Sequence, residues 1–214
     1  MPTADYHLAF RDLTQWEAET PAAVLEGYAR YCAERLAPQG PVIDFGTGTG
    51  GFVRALTRAG VSACGVEPSA TARDTAAHEH GLHLVAALDQ LPPGPWHGAT
   101  AIEVIEHIPD PGWLRAVHDR LQPGGFVFVT TPNIDGLTAR RSGPQWPQAT
   151  NPWHIALFGP AALRQTLRLA GFECIRLVRH GPVLARSRTR QWLHRGLLTM
   201  GLHSSLRMLA RKPR

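Results

Sequence analysis

Two groups of residues in this chain are spaced for chemistry. The first is Asp44-Phe45-Gly46-Thr47-Gly48-Thr49-Gly50, at the exit of a short apolar run. Its glycines let the backbone bend sharply and come close to a ligand, and the helix that follows offers N–H groups. Gly46, Gly48 and Gly51 also satisfy G-x-G-x-x-G, so the glycines by themselves fit a dinucleotide cradle, another small-molecule cradle or a plain structural turn. Asp44 separates these readings. A carboxylate two residues before the first glycine repels a pyrophosphate and suits an ammonium group. Glu67 stands 17 positions after Gly50, at the end of the next apolar run. There it is placed to accept both hydroxyls of a ribose, each charge-assisted bond being worth roughly 1.5–3 kcal/mol; an ordinary surface glutamate is the plain alternative. The second group is Glu103-Val104-Ile105-Glu106-His107, three ligating side chains in five residues at the end of another apolar run.

Strand-like and helix-like runs alternate around these groups, the signature of an α/β fold with a mainly parallel sheet. Strands are expected at residues 41–45, 61–66, 82–87, 99–104, 126–130, 172–179 and 205–212. Helices are expected at 21–36, 52–58, 69–80, 113–121 and 161–170. The run Phe126-Val127-Phe128-Val129-Thr130 fits a strand buried on both faces. Residues 132–153 hold four prolines and two tryptophans, Trp146 and Trp153, with little periodicity. Loops of that length are usually functional; the tryptophans fit a pocket lining or packing beneath the loop equally well.

With 214 residues the chain suffices for one domain. We therefore expect a single domain over 1–214, with an N-terminal helical cap (1–39), a substrate loop (132–158) and a helical insertion before the last strand (182–204). Hydrophobic residues make up 43% and charged ones 18%, which excludes a disordered tail or a coiled coil. No apolar run reaches the roughly 18 residues of a membrane span and the N-terminus lacks a signal-peptide pattern, so a cytoplasmic location is expected. Cys32, Cys64 and Cys174 stand too far apart for a CxxC site and read as small buried hydrophobes. From residue 174 onward there are ten basic residues and no acidic one, in a chain of net charge +5. Leu197, Leu198, Met200 and Leu202 interleave with these charges, as in a packed or membrane-touching amphipathic helix. Peripheral membrane contact through this insertion is thus a candidate interaction; nucleic acid is disfavoured as a partner.

The chain resembles the class I S-adenosylmethionine-dependent methyltransferases over nearly its whole length. The matching pieces are VIDFGTGTG, VEPS, EVIEH, LQPGGFVFVTTPN and HIALFGPAALRQTLRLAGF. The resemblance implies a Rossmann-like, doubly wound, mostly parallel seven-stranded sheet with an antiparallel last strand. It also implies a cofactor set of Asp44, Gly46, Thr47, Gly48, Gly50, Glu67, Pro68, Leu88, Asp89 and Glu103 for S-adenosylmethionine. Two positions depart from the family: Ala87 stands where an acidic residue is common, with Asp89 two positions later, and His97-Gly98 replaces an aspartate before the 99–104 strand. The ExxEH pattern is similar to that of ubiquinone-biosynthesis O-methyltransferases and small-RNA 2′-O-methyltransferases. This branch implies a divalent metal ion held by Glu103, Glu106, His107 and His154. His107 or His154 acting as a metal-free general base, or holding structure alone, are the open alternatives. The function expected is methyl transfer to a small-molecule hydroxyl. Methylation of RNA ribose, a noncatalytic cofactor-binding subunit and an NAD-dependent reductase are its rivals.

Overall fold

A computed structural model describes residues 22–36, 38–179 and 188–214, with the side chains of Arg188 and Arg190 excepted. Part of the expected cap (1–39), part of the expected insertion (182–204) and His180 lie outside the described residues. Contacts divide the chain into two compact units, residues 1–100 and 101–214.

In the first unit, helix α1 (Ala22–Tyr31) continues as a π turn, Cys32–Leu36. Leu25, Tyr28, Ala29 and Cys32 are its buried residues, the i, i+3, i+4, i+7 stripe of a helix with one apolar face. Strand β1 (Val42–Phe45) pairs in parallel with β2 (Ala63–Val66) and β3 (Trp96–Ile102). Helices α2 (Gly51–Arg58) and α3 (Ala70–His80) follow β1 and β2. Ser69 caps α3, its hydroxyl accepting from the Ala72 N–H at 3.3 Å. Gly81 ends it in the left-handed conformation at φ 64°, the stop that glycine supplies without a Cβ penalty.

The expected strand at 82–87 does not form as a strand. Val85 alone bridges to Val66, with the Val85 N–H donating to Gly65 and the Glu67 N–H to the Val85 carbonyl. One residue later the ladder ends: the chain bends at residues 86–87, the Ala86 N–H donates to the Gln90 Oε1 at 2.8 Å, and Leu88–Gln90 closes into a 3₁₀ turn. The sheet of the described residues therefore has six strands rather than seven, in the order β2-β1-β3-β4-β6-β5, with β3 running through the boundary of the units.

In the second unit, α4 (Gly112–Arg120) leads into the long strand β4 (Leu121–Pro132), and α7 (Pro160–Leu169) leads into β5 (Glu173–Leu177). The last strand, β6 (Ser205–Arg211), pairs antiparallel with both β4 and β5, as expected of the fold. Every residue of β4 from Gly125 to Pro132 is buried, and Phe126, Phe128, Leu163, Leu167, Phe172 and Met208 are among the largest fully buried side chains. Each removes apolar surface worth about 1.5–3 kcal/mol. The 132–153 stretch is less irregular than its composition suggests. Pro144 and Pro147 start short helical turns, so that α5 (Leu137–Ser142), a 3₁₀ turn and α6 (Pro147–Thr150) follow in succession. Trp146 is buried beneath them. Helix α8 (Arg188–Met200) precedes β6. No helix among the described residues is long and apolar enough to cross a membrane. Cys32 is buried as expected and Cys64 half-buried, whereas Cys174 is exposed, because it occupies a left-handed position (φ 49°) at the bulge of the edge strand β5.

Gly50, at φ 85°, is the N-cap of α2, and a Cβ there would run into the Leu82 Cδ1 methyl. Gly60 is equally left-handed at φ 81° but has open space around it. Urea denaturation should show Gly60→Ala losing the backbone cost alone, about 1–2 kcal/mol. Gly50→Ala should lose more than that, by the repacking of Leu82.

Candidate active site

The glycine turn of the first unit is held by its own amides. The N–H groups of Gly46 and Thr47 donate to the Val66 carbonyl, at 2.8 and 3.3 Å, and that of Gly50 to the Thr47 carbonyl. The Gly48 N–H donates to the Glu67 Oε2 at 2.9 Å. Four amides of the turn thus point inward, and amides are what a pyrophosphate would need. Around the turn the charged side chains are acceptors. Asp44 is buried on β1, its Oδ1 accepting from the Thr100 hydroxyl at 2.7 Å. Its charge, added to burial, pushes the Cys32 thiol up to about 12. The buried Glu67 carboxylate accepts from Ser69 N–H at 2.8 Å as well as from Gly48, and carboxylate oxygens each take more than one hydrogen bond. Pro68 is exposed beside it, its carbonyl accepting from Arg73 at 2.7 Å. Asp44, Gly46, Thr47, Gly48, Gly50, Glu67 and Pro68 are therefore brought together. Leu88 and Asp89 lie on the 3₁₀ turn beyond Val85, Asp89 exposed and Leu88 half-buried. A lining of carboxylates with inward amides fits an ammonium or sulfonium cation and a diol.

In the second unit, a second set of acids gathers at the end of β3. Consecutive threonines of β4 hold them: Thr130 Oγ1 donates to Glu103 Oε1 at 2.8 Å, and Thr131 Oγ1 to Glu106 Oε2 at 2.9 Å. Glu103 takes a left-handed backbone, φ 55°, unusual for a residue with a side chain and of a kind that clusters at functional sites. Arg207, buried on β6, is paired with Thr130 across the ladder and places its charge near Glu103. Glu106 is fully buried, and its Oε1 meets no donor among the described residues. Its carbonyl accepts the N–H groups of Ile155 and Ala156, which folds the chain after α6 back over the turn Ile105–His107.

This return brings in His154. Its ring and that of His107 meet edge to face, centroids 4.8 Å apart, and one ligand atom from each of Glu106, His107 and His154 lies within 4.8 Å of the others. Glu103 stands outside that trio, turned to Thr130. Each imidazole is oriented by a backbone carbonyl: His107 Nδ1 is 3.0 Å from the Trp153 oxygen, and His154 Nδ1 is 3.0 Å from that of Gln148. A carbonyl only accepts, so each ring carries a proton on Nδ1; in the neutral ring the lone pair then belongs to Nε2, the arrangement that suits an imidazole to a metal or a proton. A buried carboxylate oxygen without a donor beside two such imidazoles fits a divalent ion. Thr130, Thr131, Thr100 and Arg207 are site-supporting residues that spacing did not reveal; the polar pair ending an apolar strand was their only mark.

The two acids also act on one another. Burial pushes Glu106 well above the usual carboxylate range, and the charge of Glu103 adds to it; burial likewise raises Glu103, opposed by Thr130 and Arg207. Two such carboxyls close together disfavour a second charge, so both hold their protons above the usual carboxylate range. The folded state retains protons that the unfolded chain releases, so this pair stabilises the fold at low pH, and the stabilisation is lost as pH rises above the ordinary carboxylate range. In chelator, the melting temperature of Glu106→Gln should match that of the wild type near about pH 4 and exceed it increasingly toward neutral pH.

A family model described as a methyltransferase domain matches residues 16–177. Among curated proteins, the ubiquinone biosynthesis O-methyltransferase of Methylococcus capsulatus is 37% identical over 101 residues, 42% of this chain and 43% of that protein. The counterpart from Caulobacter vibrioides is 32% identical over 145 residues, 60% of this chain and 56% of that one; the chain thus aligns with about half the length of these relatives. Among solved structures, a SAM-dependent methyltransferase of Thermotoga maritima, titled a possible histamine N-methyltransferase, superposes with a TM-score of 0.68 at 19% identity, over 96% of this chain and 98% of that one. The chain belongs to the methyltransferase domain family and has the Rossmann-like fold of class I S-adenosylmethionine-dependent methyltransferases.

Proposed function

We propose that this chain transfers a methyl group from S-adenosylmethionine to a hydroxyl of a small-molecule acceptor. The observation that carries the first part is the glycine turn, whose amides point inward and whose charged neighbours, Asp44 and Glu67, are both acids. The family membership supports it, and the relatives named for ubiquinone biosynthesis O-methylation support an oxygen acceptor. Asp44, with the backbone of residues 46–50, receives the methionine end, Glu67 the ribose hydroxyls, and the turn with Leu88 and Asp89 the adenine.

Methyl transfer from a sulfonium is one in-line displacement. The acceptor oxygen bonds to the methyl carbon, the carbon–sulfur bond breaks toward sulfur, and the hydroxyl proton must leave. Placement alone supplies about 7–11 kcal/mol of such a barrier. His107 and His154, each with its Nε2 lone pair fixed by the bond at Nδ1, are the proton acceptors of the site, worth about 10²–10⁴-fold. Glu106, His107 and His154 would together hold a divalent ion. A carboxylate with two imidazoles suits Mn²⁺, Co²⁺ or Zn²⁺ better than Mg²⁺, and such an ion lowers the pKa of a coordinated hydroxyl. Ile155, next to His154, is exposed, an apolar contact for the acceptor's body.

Separate calorimetric titrations with S-adenosylhomocysteine and NADH should show binding of the first alone; binding of NADH alone would sink the assignment. Glu67→Gln should weaken S-adenosylhomocysteine at least about tenfold. With phenolic acceptors, His107→Ala should lower S-adenosylhomocysteine release by about 10²-fold or more while leaving its affinity within about twofold. Equal losses in turnover and affinity would remove His107 from the chemistry.

A further inference from the structure

Glu103 and Glu106 each have a threonine, but they are not held alike. Thr130 clamps Glu103 at both ends: its carbonyl and its Oγ1 accept the Glu103 N–H at 3.0 and 3.2 Å, and the same hydroxyl donates to Oε1 at 2.8 Å. Glu103 reaches that bond from its left-handed backbone, a conformation that persists only where the surroundings hold it. Arg207 stands directly opposite Thr130 in the antiparallel ladder, and residues so opposed put their side chains on one face. Its buried guanidinium therefore shares that face with the Thr130 hydroxyl, its charge near Glu103. Thr131 points to the other face and donates to the Glu106 Oε2 at 2.9 Å, while the buried Oε1 meets no donor among the described residues. Glu106 lies in reach of His107 and His154, and Glu103 is not one of that group. Four side chains that the sequence offers as one ligand set are thus divided into a trio and a separately satisfied acid.

We infer that Thr130 and Arg207 are positioning residues that withhold Glu103 from a divalent ion, which Glu106, His107 and His154 alone would hold. To join them, the Glu103 carboxylate would have to give up the Thr130 hydroxyl and leave the guanidinium, and bonds to a charged group are among the stronger ones a side chain makes. Charge decides what this division achieves. One carboxylate leaves a divalent ion with net positive charge, whereas two would neutralise it, and the positive site polarises a bound hydroxyl more strongly. Three protein groups rather than four also leave more positions for oxygen from an acceptor. The inference rests on the ion considered under the proposed function and is independent of the glycine turn.

The test is Mn²⁺ binding by the full chain, stripped with chelator and dialysed, read from the electron paramagnetic resonance signal of unbound Mn²⁺. Glu103→Gln should keep the wild-type affinity within about threefold, whereas Glu106→Gln and His154→Ala should each lose about tenfold or more. Thr130→Val and Arg207→Met each release Glu103 and should tighten Mn²⁺ about threefold or more, a gain that adding Glu103→Gln abolishes. Thr130→Ser, which keeps the hydroxyl, should match the wild type. A loss in Glu103→Gln as large as that in Glu106→Gln overturns the inference. So does a Thr130→Val affinity that is unchanged, weakened, or tightened equally with and without Glu103. Should neither Thr130→Val nor Arg207→Met fold, the contrast of Glu103→Gln with Glu106→Gln decides by itself. A wild type that takes up neither Mn²⁺ nor Zn²⁺ but binds S-adenosylhomocysteine overturns this inference and leaves methyl transfer standing; the expected Mn²⁺ results without S-adenosylhomocysteine binding do the reverse.

Discussion

Taking a carboxylate out of water costs several kcal/mol unless donors replace the lost hydration. This chain does so repeatedly at the ends of its strands, and each acid arrives with its donor supplied by backbone or by a neighbouring threonine. Thr100 serves Asp44, the Gly48 and Ser69 amides serve Glu67, Thr130 serves Glu103 and Thr131 serves Glu106. The local folding follows from that need. The glycine turn bends so that an amide reaches Glu67, β4 ends on two hydroxyls, and Glu103 adopts a left-handed backbone that costs of order 1–3 kcal/mol.

The rest of each unit holds these ends in place. In the first, β1 is only four residues long, yet its parallel neighbours on both sides fix where Asp44 stops and the turn begins. In the second, β4 is apolar from Phe126 to Val129, ahead of its two buried threonines, and β6 pairs with it over seven residues. Phe126 and Phe128 anchor a strand whose polar end would otherwise have no reason to be buried. Arg207 belongs to the same economy of charge: a buried guanidinium is tolerated because an acid lies near it, and with the Thr130 hydroxyl it opposes the upward push of burial on Glu103.

Much of this was legible before any coordinates. Gly50, Gly81 and Ser69 announce themselves, because a left-handed turn and a helix cap depend on a residue's own chemistry and its immediate neighbours. Asp44 and Glu67 were legible as a pair for a similar reason, a charge being out of place at the end of an apolar run. The threonines were not. Threonine is an ordinary strand former, and nothing local marks the one whose hydroxyl holds a carboxylate 27 residues away. Residues 82–87 show the reverse error: their apolar run suits a strand, but the chain bends after Val85 into the 3₁₀ turn Leu88–Gln90, with the Gln90 side chain bonded back to the Ala86 amide. Arg207 counted among a run of basic residues, and only the register against Thr130 reveals that it faces inward. His154 became legible through family resemblance and not through spacing, since a contact made across a folded loop leaves no periodic trace.

The carbonyl bonds at the two imidazoles have one further implication. Trp153 and Gln148 engage the Nδ1 side of each ring, so a proton captured on Nε2 would strengthen those bonds. The neutral and cationic forms of His107 and His154 are thus compatible with the same backbone path. A change of charge on either ring therefore leaves the backbone bonds that order residues 148–154 in place.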